Sequence, residues 1–341
     1  MSLKFAKRKA VNLSAESLVQ IDRFQPNTPL HTLVQPRVAG VNLIEWATAQ
    51  QTWIESQLLE HGGILFRGFP VRDATEFEQF LKAVSGELLE YTYRSTPRSQ
   101  VQGNIYTSTE YPAEQSIPLH NEMSYTRSWP LKIGFFCVQP AVQDGRTPIA
   151  DSRKVLSRLS SGLRQRFADN GVMYVRNYRE GLDLSWQTVF QTDDRAVVEQ
   201  YCQQAGIEWE WVSPQHLRTR QVCQAIATHP KTEETVWFNQ AHLFHVSSLP
   251  PMVRESLLAT LAEIDLPRNT YYGDGSPIEP ETLDEIHQAF AAETVSFPWQ
   301  AGDILLLDNM LTAHGRTPFV GSRQILTGMS ELFTPVEEVA S

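Results

Sequence analysis

Apolar positions along the chain change their spacing several times, and each change marks a predicted element. Trp46, Trp53, Ile54 and Leu58 recur at roughly helical intervals. Gly62-Gly63 then stops the helix ahead of the run Ile64-Leu65-Phe66, which predicts a buried strand ending at Gly68. Asp73 and Glu76 have capping-box spacing. They precede Phe77, Phe80, Leu81 and Val84, whose i, i+3, i+4, i+7 pattern predicts an amphipathic helix lying outside a sheet.

Between about 100 and 150 the pattern shifts to short apolar runs broken by Pro and Gly. Ile133-Gly134-Phe135-Phe136-Cys137-Val138 and Thr147-Pro148-Ile149-Ala150 read as strands. Val155, Leu159, Leu163 and Phe167 restore helical spacing over 153–170, with Gly171 as the stop. The stretch from about 172 to 290 is mixed: a strand at 235–238, a helix at 251–264, and a polar, glycine-containing segment at 271–277 that suits a lid. Ile304-Leu305-Leu306-Leu307 and Ile325-Leu326-Thr327-Gly328-Met329 return to strand character. Two β-rich halves around a long insertion predict an α+β chain: a double-stranded β-helix (jelly roll) core with flanking helices and an insertion at about 172–290. No composition shift marks a boundary between two separate α+β domains, so residues 1–341 read as one domain.

Composition narrows the function classes. Of the 341 residues, 41% are hydrophobic and 20% charged, enough for a large core. With 29 Lys+Arg against 39 Asp+Glu and a net charge of −10, the basic residues form no stripe that could track phosphates, which argues against nucleic acid. No apolar run approaches the roughly 20 residues that span a bilayer, and the start, MSLKFAKRKAVNLSAESL, lacks the apolar core of a secretory signal. A cytoplasmic location is therefore expected, with homo-oligomerisation left open. Cys137, Cys202 and Cys223 are odd in number and lack C-x-x-C spacing, so buried free thiols are expected.

Candidate chemistry concentrates in two short segments. In Leu119-His120-Asn121-Glu122, an extended backbone would place His120 and Glu122 on one face, because strand side chains alternate with period two. His314 lies 194 positions beyond His120, just after the run 304–307, and a jelly roll can bring the two segments together. Two imidazoles and one carboxylate occupy one face of an octahedral iron(II) and leave positions for a bidentate co-substrate and an oxidant. His-x-Glu alone is more often a hydrogen-bonded surface pair, and a structural zinc in a non-catalytic jelly roll would use the same residues. His242 and His245 form an H-x-x-H without the acid of a zinc protease.

Arg323 follows His314 by nine residues and begins another apolar run. A keto acid chelated to iron through its 1-carboxylate and 2-oxo group leaves a distal carboxylate, which a guanidinium fork suits. Thr147, 27 residues beyond His120, can donate a hydroxyl hydrogen bond to the same group. Arg316 is expected to pair with Asp308 and so support His314.

In these residues the chain resembles the taurine dioxygenase and clavaminate synthase superfamily, where His-x-Asp/Glu, a Thr and a distal His followed by Arg occur in this order. The resemblance runs through GILFRGF at 63–69, TSTEYP at 107–112, HNEMSY at 120–125, FFCVQPAVQDGRTPIADSR at 135–153, VWFNQ at 236–240 and AGDILLLDNMLTAHGRTPF at 301–319. Glu122 in place of Asp is more similar to the clavaminate synthase-like and syringomycin-type hydroxylase branch. The second Arg that engages a sulfonate in the taurine enzyme is replaced here by Thr327. The resemblance implies His120, Glu122 and His314 as ligands of Fe(II), Thr147 and Arg323 as anchors of 2-oxoglutarate, and O2 as oxidant. The implied reaction hydroxylates a C–H bond of a small polar molecule, such as an amino acid, free or on a carrier protein; desaturation, cyclisation and sulfonate cleavage are the alternatives. A carboxylate at 122 argues against a halogenase. Asn104, Glu110, Tyr125 and Asn239 are candidate substrate contacts.

Overall fold

Every residue of the strand Ile304–Asp308 is buried, which explains why it reads as an unbroken apolar run rather than an alternating one. In the computed structural model, which describes residues 18–90, 98–108, 111–179, 181 and 183–335, this strand lies inside an eight-stranded sheet. Its neighbours are Gly63–Phe66 on one side and Trp129–Gln139 on the other, both antiparallel. Gln324–Phe333 pairs with the far edge of Trp129–Gln139. Ile304 and Leu306 point to one face, with Ile64, Phe66 and Phe136. There they meet the helices Leu43–Ala49, Gln51–His61 and Ala74–Ser85, which bury Trp46, Leu58 and Phe80 against them. Leu305 and Leu307 point to the other face, with Phe135, Ile133 and Ile325, toward Ile149 of a second sheet.

That second sheet has three strands, Ile117–His120, Thr312–Arg316 and Ile149–Asp151, with Thr312–Arg316 in the middle. Two facing sheets with helices outside one of them are the expected jelly-roll arrangement. Gly134 and Gly328 sit opposite each other in the large sheet. A Cβ at either would come within 2.6 Å of the Leu81 side chain, so the missing side chains let the helix Ala74–Ser85 approach the sheet closely. Asp73 caps that helix as expected, its side chain accepting from Glu76 N–H at 3.0 Å.

Residues 172–290 contain a further sheet of four strands in the order Glu208–Ser213, His216–Cys223, Val172–Arg179 and Arg268–Tyr272. Its core joins Tyr174, Trp237 and Phe244 to the helices Ser161–Asn170 and Pro280–Glu293.

Three local expectations need correction. The helix expected over 153–170 is two, Ser152–Arg158 and Ser161–Asn170, because Leu159 between them adopts an extended conformation. The helix expected over 251–264 ends at Thr260. Residues 271–277, expected as an irregular lid segment, are a strand end and a tight turn: Tyr271 and Tyr272 close a strand of the four-stranded sheet, with Gly275 N–H donating to Tyr272 O at 2.8 Å and Tyr272 N–H to Ser276 O at 3.0 Å.

Candidate metal centre

His120 ends one strand of the small sheet and His314 lies in the middle of the next; the two are direct register partners across the ladder. Their rings are 4.6 Å apart. His120 Nδ1 lies 2.9 Å from Pro118 O, so it carries the proton and leaves Nε2 with a lone pair. Glu122 departs from the expected geometry: the strand stops at His120, and Glu122 sits in the turn that follows. A turn rather than strand alternation brings its carboxylate back beside the imidazoles. Asn121 fixes that turn, its Nδ2 donating to Asn309 O at 2.6 Å and Ser152 Oγ at 3.0 Å.

The ligand-type atoms of His120, Glu122 and His314 all lie within 4.8 Å of one another, and this is the one such group among the described residues. His314 Nε2 is 3.8 Å from Glu122 Oε2. Burial pushes the pKa of His120 below its ordinary value, against the pull of the Glu122 carboxylate. Burial, with the nearby His120 and Arg98, holds His314 well below the usual histidine range. Both imidazoles are therefore neutral at neutral pH, the form that binds metal. Two neutral imidazoles and one carboxylate, buried and converging, fit a divalent iron with open positions.

Asn309, given no role in the sequence-based reading, supports this group, with Asp308 behind it. Asn309 Oδ1 accepts from Glu122 N–H at 2.7 Å, and Asn309 Nδ2 donates to Glu122 O at 2.9 Å and Pro130 O at 2.8 Å. Asp308 holds the turn that presents Asn309, its Oδ1 accepting from Met310 and Leu311 N–H, both at 2.9 Å. The expected Arg316–Asp308 pair does not form. Asp308 instead meets His229 Nε2 at 3.0 Å, and His229 Nδ1 accepts from Lys231 and Thr232 N–H. Arg316 donates to the carbonyls of Tyr111, Pro112 and Gln115. A guanidinium beside three backbone acceptors is satisfied locally, and nothing in the spacing of 308 and 316 reveals those carbonyls.

The metal group opens onto a cavity lined by Arg98, Phe135, Thr147 and Arg323 among others. Arg323 Nε donates to Gly145 O at 2.8 Å, and its Nη2 is 3.5 Å from Thr147 Oγ1. Trp299 Nε1 donates to that hydroxyl oxygen at 3.1 Å, which leaves the Thr147 hydroxyl hydrogen to be given to a ligand. Burial, with Arg316 nearby, pushes Arg323 down to about 10, so it remains cationic at neutral pH. Free space in the cavity is about 30 Å³, room for about one water.

Arg98 is the other residue that sequence reasoning missed. Its Nη2 lies 2.7 Å from Glu122 Oε2, inside the cavity. Arg98 follows Pro97 in a polar stretch without periodicity, and no local signal distinguishes it from a surface arginine.

The four candidate substrate contacts fare differently. Asn104 Nδ2 donates to Leu88 O at 2.8 Å. Asn239 is fully buried, its Nδ2 donating to Ala225 O and its Oδ1 accepting from Ala241 N–H. Tyr125 is buried against Phe244, ring centroids 5.2 Å apart. None of these three lines the cavity. Glu110 lies outside the described residues. His242 and His245 serve the backbone, at Leu119 O and Ser247 N–H respectively. All three cysteines are buried and free, as expected.

Comparison with known proteins places the chain in a family. Residues 26–330 match the model of the taurine catabolism dioxygenase TauD, TfdA family. The chain is 42% identical over 316 residues to the dapdiamide synthesis protein DdaC of Enterobacter agglomerans, covering 89% of this chain and 96% of that protein. It is 31% identical over 340 residues to a clavaminate synthase-like protein of Arabidopsis thaliana, covering 93% and 98%. Among solved structures, PvcB from Pseudomonas aeruginosa shares the fold at a TM-score of 0.55 and 15% identity, with 94% of each chain covered. No helix among the described residues is long and apolar enough to cross a membrane.

Proposed function

The chain belongs to the taurine catabolism dioxygenase TauD, TfdA family, and from that premise we propose that it hydroxylates a C–H bond of a small amino-acid-related molecule, free or tethered to a carrier protein. It is an oxidoreductase dependent on iron and 2-oxoglutarate. The observation that carries the reading is the convergence of His120, Glu122 and His314 within 4.8 Å, with His120 and His314 lining the same cavity as Thr147 and Arg323.

In this reading His120, Glu122 and His314 hold the iron, and Thr147 and Arg323 hold the distal carboxylate of 2-oxoglutarate. The iron and keto acid, when bound, supply the oxidising power for C–H cleavage. The protein's part is to orient substrate and exclude water. Phe135 helps to keep water out, since its ring lies 5.0 Å from that of His314 and forms an apolar wall. Identity to a protein of dapdiamide synthesis supports an amino-acid-related substrate. Thr327, fully buried beside Tyr106 and Phe135 in the ladders, offers no cation where a sulfonate would need one.

The test is a mass-spectrometric screen of free and carrier-bound amino acids with iron, 2-oxoglutarate and O2, with succinate followed in parallel. A product heavier by one oxygen together with stoichiometric succinate is expected. A product lighter by two hydrogens would replace hydroxylation with desaturation or cyclisation, and absence of succinate with every substrate would defeat the proposal.

A further inference from the structure

Three guanidinium groups face the cavity. Arg316 is a clamp on three backbone carbonyls. Arg323 is held by Gly145 O beside Thr147. Arg98 is placed differently. Only 5% of its side chain is exposed, and its Nη2 meets Glu122 Oε2 at 2.7 Å, the same oxygen that faces His314 Nε2 at 3.8 Å.

One carboxylate oxygen is thus shared between a buried guanidinium and the point on which the imidazoles converge. A divalent ion drawing on that oxygen weakens its hold on Arg98 and places a second positive charge beside it. An anion in the cavity relieves that repulsion, and the planar fork of Arg98 matches a carboxylate. Both carboxylates of 2-oxoglutarate already have partners in the proposed function, one at the metal and one at Arg323 and Thr147.

We propose that Arg98 is a specificity-determining residue that exchanges Glu122 for a carboxylate of the substrate when the metal binds. The chemical class it selects is a substrate with a free carboxylate close to the carbon that is oxidised. A substrate whose only carboxyl is tied up as a thioester is disfavoured. The inference rests on His120, Glu122 and His314 holding the metal.

The test uses full-length protein and its Arg98→Gln and Arg98→Lys variants. Metal-free protein is first titrated with Co(II) by calorimetry. Protein loaded with Co(II) and 2-oxoglutarate is then titrated with acetate, with acetamide as the neutral control, and followed by the Co(II) absorption bands. Arg98→Gln is expected to bind Co(II) several-fold more tightly than wild type, because a competing cation is gone, and acetate at least tenfold more weakly. Arg98→Lys keeps the charge without the fork, so near-normal Co(II) affinity with weakened acetate binding is expected; this variant also carries the test if Arg98→Gln does not fold. Unchanged or weaker Co(II) binding by a folded Arg98→Gln would reduce Arg98 to a support for Glu122. Acetate binding equal in wild type and both variants, or absent from wild type, would overturn the carboxylate site. Failure of wild type to bind Co(II) at all would instead strike the metal centre itself.

Discussion

Asn309 and Glu122 exchange two hydrogen bonds, Glu122 N–H to Asn309 Oδ1 at 2.7 Å and Asn309 Nδ2 to Glu122 O at 2.9 Å. A side-chain amide thereby stands in for a strand neighbour where the ladder has already ended, and it fixes the one carboxylate of the metal group. The two residues are 187 positions apart. Supports of this kind typically matter about 10–100-fold in metal affinity or activity. Asn309→Ala is therefore expected to weaken divalent-metal binding within that range and to lower stability by about 1–3 kcal/mol for the buried groups it leaves unpaired. Calorimetric metal titration and urea unfolding measure the two effects; unchanged metal affinity would remove Asn309 from the site.

Arg323 is expected to set the affinity for 2-oxoglutarate. Loss of hydrogen bonds to a charged group is worth about 1.5–3 kcal/mol, so Arg323→Ala should raise the KM for 2-oxoglutarate roughly 10- to 150-fold, with Arg323→Lys in between. Gly145 gives an independent handle. Its φ is +63°, and a Cβ there would sit 3.0 Å from Arg323 Cδ and 2.9 Å from Ala141 Cβ, so Gly145→Ala should disturb the anchor and raise the same KM without removing a charge. Steady-state kinetics with 2-oxoglutarate varied decides both.

Acid sensitivity is expected from His242. Its Nε2 lies 2.9 Å from Leu119 O, and burial, reinforced by His287, pushes its pKa down to about 3 from an ordinary 6.5. Between those values the unfolded chain holds a proton at this residue that the folded chain refuses. Its contribution to stability is thus full above pH 6.5 and is lost as pH falls toward 3, by at most about 1.4 kcal/mol per pH unit. His242→Gln can retain a donor to Leu119 and does not titrate, so its unfolding free energy should fall less steeply than wild type from about pH 6.5 to 4. Parallel slopes in urea denaturation would contradict this.

Lys132 anchors a four-charge network. Its buried Nζ lies 2.5 Å from both Glu55 and Glu331, and Lys231 meets the same two acids at 2.6 and 3.0 Å. The network ties the helix Gln51–His61 to the strands Trp129–Gln139 and Gln324–Phe333. Removing one partner of a fully buried pair costs about 3–5 kcal/mol. Here both acids are partly exposed and keep Lys231, so Lys132→Met is expected to cost about 1–3 kcal/mol by urea denaturation, and adding Glu331→Gln should recover part of it.

Much of this was legible in the linear pattern where local chemistry suffices. The unbroken run 304–307 announced a strand covered on both faces, and Asp73 announced a helix start. The His-x-Glu word and the Arg after His314 marked residues that the fold gathers with His314 around one cavity. Glu122 shows the limit: residue spacing suggested the right neighbourhood by the wrong route, since a turn rather than an extended strand carries it back. Arg316 shows another, because its partners are backbone carbonyls that leave no mark in side-chain spacing.

By itself the sequence determined the kinds of elements and most of their positions and singled out the candidate ligands, because periodicity, caps and donor chemistry act over a few residues. Tertiary structure alone decided that His120 lies opposite His314, that Asn309 braces Glu122 and that Arg98 reaches the same carboxylate. Those meetings are set by sheet register and turn geometry across long stretches of chain. No short-range pattern encodes them, and only the pairing of strands and turns far apart in the chain brings them about.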